Sequence, residues 1–332
     1  WEPPTNEGMV VGYSQIESYS SCNDAKLGTF LEKMGYSQDD MGSTDYEQPI
    51  LLSDSLLGIK YVCLDDGSVD VNEYALPIGY AASEEVLGSL PECTTAGCES
   101  YQEEAKALNT AYEDQNPFEV QNAFVSMILG EDVECFKPLA VTQTADTDLC
   151  KEWTVDTAGQ DHVYAYIDTN DMEHSTLTVG DEVLGEYNIW NSYYVFDIGN
   201  LEEGQTVKLE ADSGYKLHDL TMVASFVDMD AFETAIGTIA ETGFEPDVVN
   251  DGYVDGTYTA TSDTLLFTTI PYDEGWTVTV DGQQVTPEKA LDTFLAIPLS
   301  QGTHQVTLTF VPQGLVAGTA ISIGTLLVLV AL

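Results

Sequence analysis

Proton transfer near neutral pH is first of all histidine work, and the chain has four histidines: His162, His174, His218 and His304. They are scattered, and His304 sits in "QGTHQV" between two strand-like stretches, the setting of a structural turn residue. No Gly-x-Ser-x-Gly elbow, phosphate-cradling Gly-rich loop or His-Glu-x-x-His pair occurs. Carboxylates are the opposite case. A glycoside hydrolase needs two of them roughly 5–10 Å apart across a sugar, and 57 acidic residues give the sequence no means of choosing a pair. The segment "DVVNDGYVDGTY" has Asp247, Asp251, Gly252 and Asp255 at calcium-loop offsets, but Val249 stands where an oxygen ligand belongs and Tyr258 where a bidentate Glu belongs. It reads as a turn leading into a strand. No catalytic set, metal site or cofactor is expected in this region.

Two residue types remain with chemistry to offer. In "NIWNSYYVF" the alternation of a strand puts Trp190, Tyr194 and Phe196 on one face. Such a row is usually core; if exposed, it is a platform on which sugar rings stack, and these three are the candidate carbohydrate-binding residues. The cysteines Cys22, Cys63, Cys93, Cys98, Cys135 and Cys150 all lie in the first half. In an exported protein they imply disulfides, with many connectivities open. Cys93 and Cys98 flank "TTAG", a turn-like loop, and are the first pair expected. The alternative is free buried thiols acting as small apolar side chains.

The charge balance excludes whole classes of partner. A net charge of −48, from 57 acidic residues against nine lysines and no arginine, repels nucleic acid, whose binding needs cationic side chains to displace counterions. It disfavours anionic lipid headgroups in the same way. Without Arg the chain also lacks the planar fork that grips phosphate in bidentate fashion. Such a surface suits an external, ion-rich setting. A divalent cation, for a larger parent protein rather than for this region, is the one cofactor it invites.

The elements that must carry these residues can be read from periodicity. "CNDAKLGTFLEKMGYS" is expected to be a helix with Leu27, Phe30, Leu31 and Met34 on its apolar face and Gly35 as its stop. "SLLGIKYVCL" (Ser55 to Leu64) and "YALPIGYAA" are expected as strands, and Glu99 to Leu129 as helical, with Pro117 in a first turn. Beyond Pro138, the alternating stretches "HVYAYID", "STLTVG", "YYVFDIG" and "TVKLEA" predict a β-sandwich. One helix, "DMDAFETAIGTIAETG" with Phe232, Ala235, Ile236 and Ile239 on one side, leads to a second β block from Gly252 to Phe310. There Asp281-Gly282 predicts a two-residue hairpin turn of the primed type. The segment from Gly314 to Leu332, "GLVAGTAISIGTLLVLVAL", has no charged residue and is expected to begin a transmembrane helix cut short at its far end, entered from the outer side. The expected fold is thus β-rich α+β: a mixed α+β portion over 1–139, a β-sandwich over 140–226, a helix plus second β block over 227–312, and the truncated transmembrane helix over 313–332.

"IPYDEGWTVTVDGQQV", followed by "FLAIPLSQGTHQVTLTFVPQGLVAGTAIS", resembles the last external stretch of the YfhO family of bacterial multi-pass membrane proteins. A Pro-Tyr…Gly-Trp…Asp-Gly hairpin and a Gly-x-His turn carry the likeness, here through Tyr272, Gly275, Trp276, Asp281, Gly282, Gly302 and His304. Upstream, "SYSS", "LLSDSLLGIKYV", "ALPIGYAAS" and "NPFEVQNAFVSMILG" are similar to further family stretches in the same order. The 140–225 region is least similar, and the cysteines and missing arginines depart from the family. The resemblance implies a parent similar to GT-C glycosyltransferases, which move a sugar from a polyprenyl-phosphate carrier to an envelope polymer such as the lipoteichoic acid of Gram-positive cells. It places the catalytic carboxylate on an early external loop, upstream of residue 1. It also implies a region on the extracellular face of the cell membrane, held by its C-terminal helix and meeting a cell-envelope glycan or the polyprenyl-linked sugar through the parent. The alternative is a single-anchor surface adhesin or carbohydrate-binding module.

Overall fold

The computed structural model describes residues 15–16, 18–19, 25–38, 43–63, 68–90, 116–157, 159–169, 174–187, 194–202, 204–217 and 220–331. Its architecture is β-rich α+β with several antiparallel sheets, as the patterning predicts. Strand β1 (Ser18–Tyr19), helix α1 (Ala25–Lys33) and strands β2 (Ser37–Gln38) and β3 (Ser43–Asp45) come first, the strands ordered β1-β3-β2. Helix α1 buries Phe30 and Leu31, Met34 follows them inward, and Gly35 breaks the helix at φ 93°. Helix α2 (Leu51–Leu57) then takes the first three residues of the strand expected over Ser55–Leu64. The reason is spacing: Leu52 and Leu56, one helical turn apart, are both fully buried, and Gly58 closes the helix in the left-handed region at φ 74°. Only Tyr61–Cys63 is extended, as β4, paired with β5 (Val69–Val71). Strand β6 (Gly79–Ala82) and a 3-10 turn at Glu84–Leu87 follow.

Helix α3 (Pro117–Leu129) starts as its sequence dictates. Asn116 accepts the N–H groups of Phe118 and Glu119 on its side chain, and the Glu119 carboxylate accepts the N–H of Asn116. Residues 99–115 of the expected helical stretch lie outside the described residues. Gln121 is buried and donates from Nε2 to the Met34 carbonyl at 2.9 Å, tying α3 to the end of α1.

The predicted sandwich is built from β7 (Phe136–Leu139), β8 (Val141–Thr147), β9 (Cys150–Val155), β10 (Val163–Thr169), β11 (Ser175–Val179), β12 (Glu182–Tyr187), β13 (Phe196–Asp197), β14 (Val207–Ala211) and β15 (Leu220–Val227). One sheet runs β13-β10-β15-β7 and the other β12-β11-β14-β9-β8. Leu177, Leu209 and Trp153 of the second sheet and Ala165, Ile167 and Ala224 of the first are buried. Tyr187 joins the sheets, its hydroxyl donating to the Ile167 carbonyl and accepting the Ile167 N–H, each at 3.1 Å. Helix α4 (Met229–Ala240) follows with Phe232, Ala235, Ile236 and Ile239 buried, and the Asp228 carboxylate accepts an N–H of its first turn.

The remaining elements are β16 (Gly243–Phe244), β17 (Val248–Asn250), β18 (Tyr253–Ala260), β19 (Thr264–Pro271), β20 (Trp276–Val280), β21 (Gln283–Val285), β22 (Glu288–Ala290), β23 (Phe294–Leu299), β24 (Gly302–Phe310) and helix α5 (Leu315–Ala331). They form two more sheets, β16-β6-β19-β23-β22 and β17-β18-β24-β20-β21. Val254, Tyr258, Val306 and Leu308 of the latter meet Leu266, Leu295 and Ile297 of the former in one buried cluster, a second sandwich. The chain accordingly divides into two compact units, Trp1–Leu76 with Ser89–Thr238, and Pro77–Gly88 with Ile239–Leu332. Strand β6 thus belongs to the second unit, inserted between β16 and β19 with Tyr80 fully buried. No helix among the described residues is long and apolar enough to cross a membrane. The 17 residues of α5 rise about 25 Å, against a hydrocarbon core of about 30 Å. The expected transmembrane segment is present as an apolar helix shorter than a span.

Candidate functional site

In the first unit a buried carboxylate, Asp54, lies on α2 and is 2% exposed. Tyr36 donates its hydroxyl to Oδ1 at 2.6 Å, Tyr46 donates to Oδ2 at 2.5 Å, and the Ile50 N–H reaches Oδ2 at 3.1 Å. Its partners are hydroxyls and an amide rather than a cation. Burial pushes its carboxyl pKa up to about 6, with the three donors pulling the other way. Burial, then the nearby Asp54 charge, raises both tyrosines well above the ordinary tyrosine range. The two rings stack at 6.1 Å. All of these bonds are internal, so the cluster clasps α2 to the segments that carry Tyr36 and Tyr46.

In the second unit the Asp281-Gly282 turn has φ of 52° and 75°, the two positive values that a primed two-residue turn demands, and Val280 pairs with Gln283 across it. Asp281 Oδ1 accepts the Gln305 N–H at 2.9 Å, and Oδ2 meets His304 Nδ1 at 2.8 Å. His304 Nε2 lies 2.9 Å from the Ser300 carbonyl. Nδ1 thus faces a carboxylate oxygen and Nε2 a carbonyl, with the Ser300 hydroxyl also 3.5 Å from Nε2, an arrangement that suits the doubly protonated ring. The Asp281 bond, then the Ser300 carbonyl, raises the His304 pKa, and His304 in turn helps to lower that of Asp281. A Cβ on Gly275 would stand 2.6 Å from the Val311 carbonyl oxygen, so only glycine fits there. Gly302 has φ 144°, beside His304. The Trp276 ring packs on Phe310 at 5.1 Å, and Lys289 Nζ lies 4.6 Å over the Tyr272 ring. These residues hold one hairpin on β24.

The outward face of the sheet β17-β18-β24-β20-β21 is a lattice of hydroxyls. Thr259 stands beside Thr303, and Thr257 beside Gln305. The next row is Val248, Asp255, Thr307, Thr279 and Gln284, and the last is Asn250, Tyr253, Thr309 and Thr277. Thr257 donates to Gln305 Oε1 at 3.1 Å, Gln305 Nε2 to Asp255 at 3.0 Å and Thr307 to Asp255 at 2.6 Å, while Thr259 and Thr303 share a bond at 3.1 Å. The Thr307 and Gln305 bonds hold the Asp255 pKa below its ordinary value. Sequence reading passed over this face, although threonine at every second position of "TYTATS", "WTVTV" and "VTLTF" was the signal.

The aromatic platform is a correction. Tyr194 and Phe196 are 5% and 0% exposed, with ring centroids 5.0 and 5.7 Å from that of Tyr187. The sandwich core takes both rings and leaves no face for a sugar; Trp190 lies outside the described residues. Among the described residues the expected disulfides are likewise absent. Cys63, Cys135 and Cys150, on three separate stretches of chain, are free thiols, and burial, then Asp228, pushes the Cys135 thiol up to about 12. Cys22, Cys93 and Cys98 lie outside the described residues. The calcium-like segment is the β17–β18 hairpin, turning at Gly252 with φ 70°. Among the described residues no group of three or more His, Cys, Asp or Glu is placed to hold a metal ion.

Several antiparallel sheets, a hairpin locked by an Asp–His pair and the apolar helix α5 make a β-rich α+β protein. The profile of the bacterial membrane protein YfhO matches residues 3–322, and the chain belongs to that family of bacterial membrane proteins. No curated protein matches it. A crystal structure of a conserved protein of unknown function from Pseudomonas aeruginosa PAO1 matches over 52% of this chain and 83% of its own, at 13% identity and a TM-score of 0.15, too low to carry an argument.

Proposed function

We propose that this chain is the extracellular region of a multi-pass membrane protein that transfers a sugar from a polyprenyl-phosphate donor to a cell-envelope polymer. The region itself receives the acceptor or a protein partner and leaves the chemistry to the rest of the parent. The observation that carries this reading is α5. It exposes Leu315, Ile321, Leu327 and Val330 at 54–79%, directly after the polar strand β24. Its apolar residues lie on every side rather than in a stripe, which suits lipid better than any single protein face. The last lysine before it is Lys289, so the sandwich side lacks the basic flank of a cytoplasmic end. Family membership supports a membrane setting; the sugar chemistry rests on the parent's resemblance to GT-C enzymes.

Cys63 is an exposed thiol and gives the test. A membrane-impermeant maleimide added to intact cells making the full-length protein should label it, with a decrement in the Cys63→Ser variant. A decrement seen only after lysis would place the region inside the cell and overturn the reading. Membranes from the same cells should move label from a radioactive polyprenyl-phosphate sugar to envelope polymer. External labelling without transfer would leave a surface-binding protein in its place.

A further inference from the structure

The geometry points to a glycan-binding face on the second unit: the hydroxyl lattice of the sheet β17-β18-β24-β20-β21, taking an uncharged chain of pyranose sugars. The inference rests on the proposed function and deepens it, naming the class of acceptor and the surface that receives it.

Charge is the first argument. In a chain with 57 acidic residues among 332, the four rows hold two carboxylates, Asp255 and, opposite Gln305 at the β20–β21 turn, Asp281, and no lysine. Both are already engaged, Asp255 by Thr307 and Gln305 and Asp281 by the Gln305 N–H and His304. An anionic polymer approaching a molecule of net charge −48 is repelled, whereas a neutral one is not.

Chemistry is the second. Each threonine hydroxyl and glutamine amide offers both a donor and an acceptor, the pairing that a sugar hydroxyl requires. Tyr253, 37% exposed in the last row, adds an amphipathic ring at the lattice edge. Strands about 4.8 Å apart, with outward residues every ~7 Å along each, make this a flat grid suited to an extended chain. Preorganisation is the third. The bonds that link Thr257, Gln305, Asp255 and Thr307 fix their rotamers in advance, which lowers the ordering cost of binding.

The test is calorimetric titration of the full chain, in mild detergent, with hexasaccharides of glucose, N-acetylglucosamine and galactose, and with an oligoglycerol phosphate of equal length. At least one neutral hexamer should bind, and Tyr253→Ala and the Thr277→Ala/Thr309→Ala pair should each weaken it about tenfold, with unchanged melting midpoints. If one variant melts lower, the other still decides. Failure of every neutral hexamer to bind at about 10 mM, binding unmoved by both variants, or preference for the phosphate oligomer would overturn the proposal. The two readings fail separately. A parent that transfers sugar while this face binds nothing removes the face alone; a face that binds a hexamer on a parent that transfers nothing removes the proposed function alone.

Discussion

Asp54 is a carboxylate buried without a cation, and its three donors only partly offset the water it has lost. Its pKa rises from 3.8 to about 6, so folding favours its protonated form. That contribution is fully present below the unfolded value of 3.8 and is lost as pH rises through about 6. The partly buried Asp228 and Asp255 and the exposed Asp281 run the other way: their lowered pKa values add stability that is lost as pH falls through them. Asp54→Asn isolates the buried group, since the other carboxylates are common to both proteins. Between about pH 7.5 and pH 4.5 the stability of the wild type relative to the variant should improve by on the order of 2 kcal/mol, read from urea unfolding at each pH. A relative stability that stays flat would show that Asp54 keeps an ordinary carboxyl pKa. Nothing in "LLSDSLLGIKYV" marks this residue, because burial is set by Tyr36, Tyr46 and Tyr164, which other segments bring to it.

Helix α2 shows what separates an apolar run that coils from one that extends. Its end depends on Gly58, whose left-handed φ of 74° lets its N–H reach back to Ser55, and whose missing Cβ would stand 2.7 Å from the Leu76 carbonyl oxygen. Gly282 has a similar φ of 75° but nothing within 4 Å of a Cβ position. The pair therefore separates backbone strain from steric clash. Gly282→Ala should lose about 1 kcal/mol, from strain alone, and Gly58→Ala at least about 2 kcal/mol, both measured by urea unfolding. Equal losses would mean that the Leu76 carbonyl yields freely. Local signals were legible where they are local: Pro117 in the first turn of α3, the Asp281-Gly282 turn, and the apolar faces of α1 and α4. The Ser55–Leu64 stretch misled because a short apolar run suits either period. "YYVFDIG" shrank to the two residues of β13. The placement of β6 was out of reach, since its pairing of Ala82 with Leu265 joins distant parts of the chain. The hydroxyl lattice was hidden for a third reason: threonine is an ordinary strand former, and only the register puts three strands' threonines in line.

Over the whole molecule the dominant long-range force is repulsion. Nine lysines against 57 acidic residues leave −48, and among the described residues Lys137 pairs with Asp228, Lys151 with Asp146, Lys208 with Glu210 and Lys216 with Asp148. The pairs whose lysine is exposed contribute little each, and the buried Lys151 is only one cation more, so the net charge stays far from balanced. Self-repulsion of this size destabilises the compact state, and salt relieves it within a Debye length. Raising sodium chloride from about 10 mM to about 300 mM shortens that length from roughly 30 Å to under 10 Å. The melting midpoint of the full chain in mild detergent should therefore climb by roughly 5 °C or more, steeply at first and levelling above about 0.15 M. The curvature is what identifies the cause, because screening saturates while exclusion of salt from the surface keeps growing with concentration. A midpoint that stays flat or falls would show that these carboxylates stand far enough apart for water alone to separate them, and the external, ion-rich setting would then lose its physical basis.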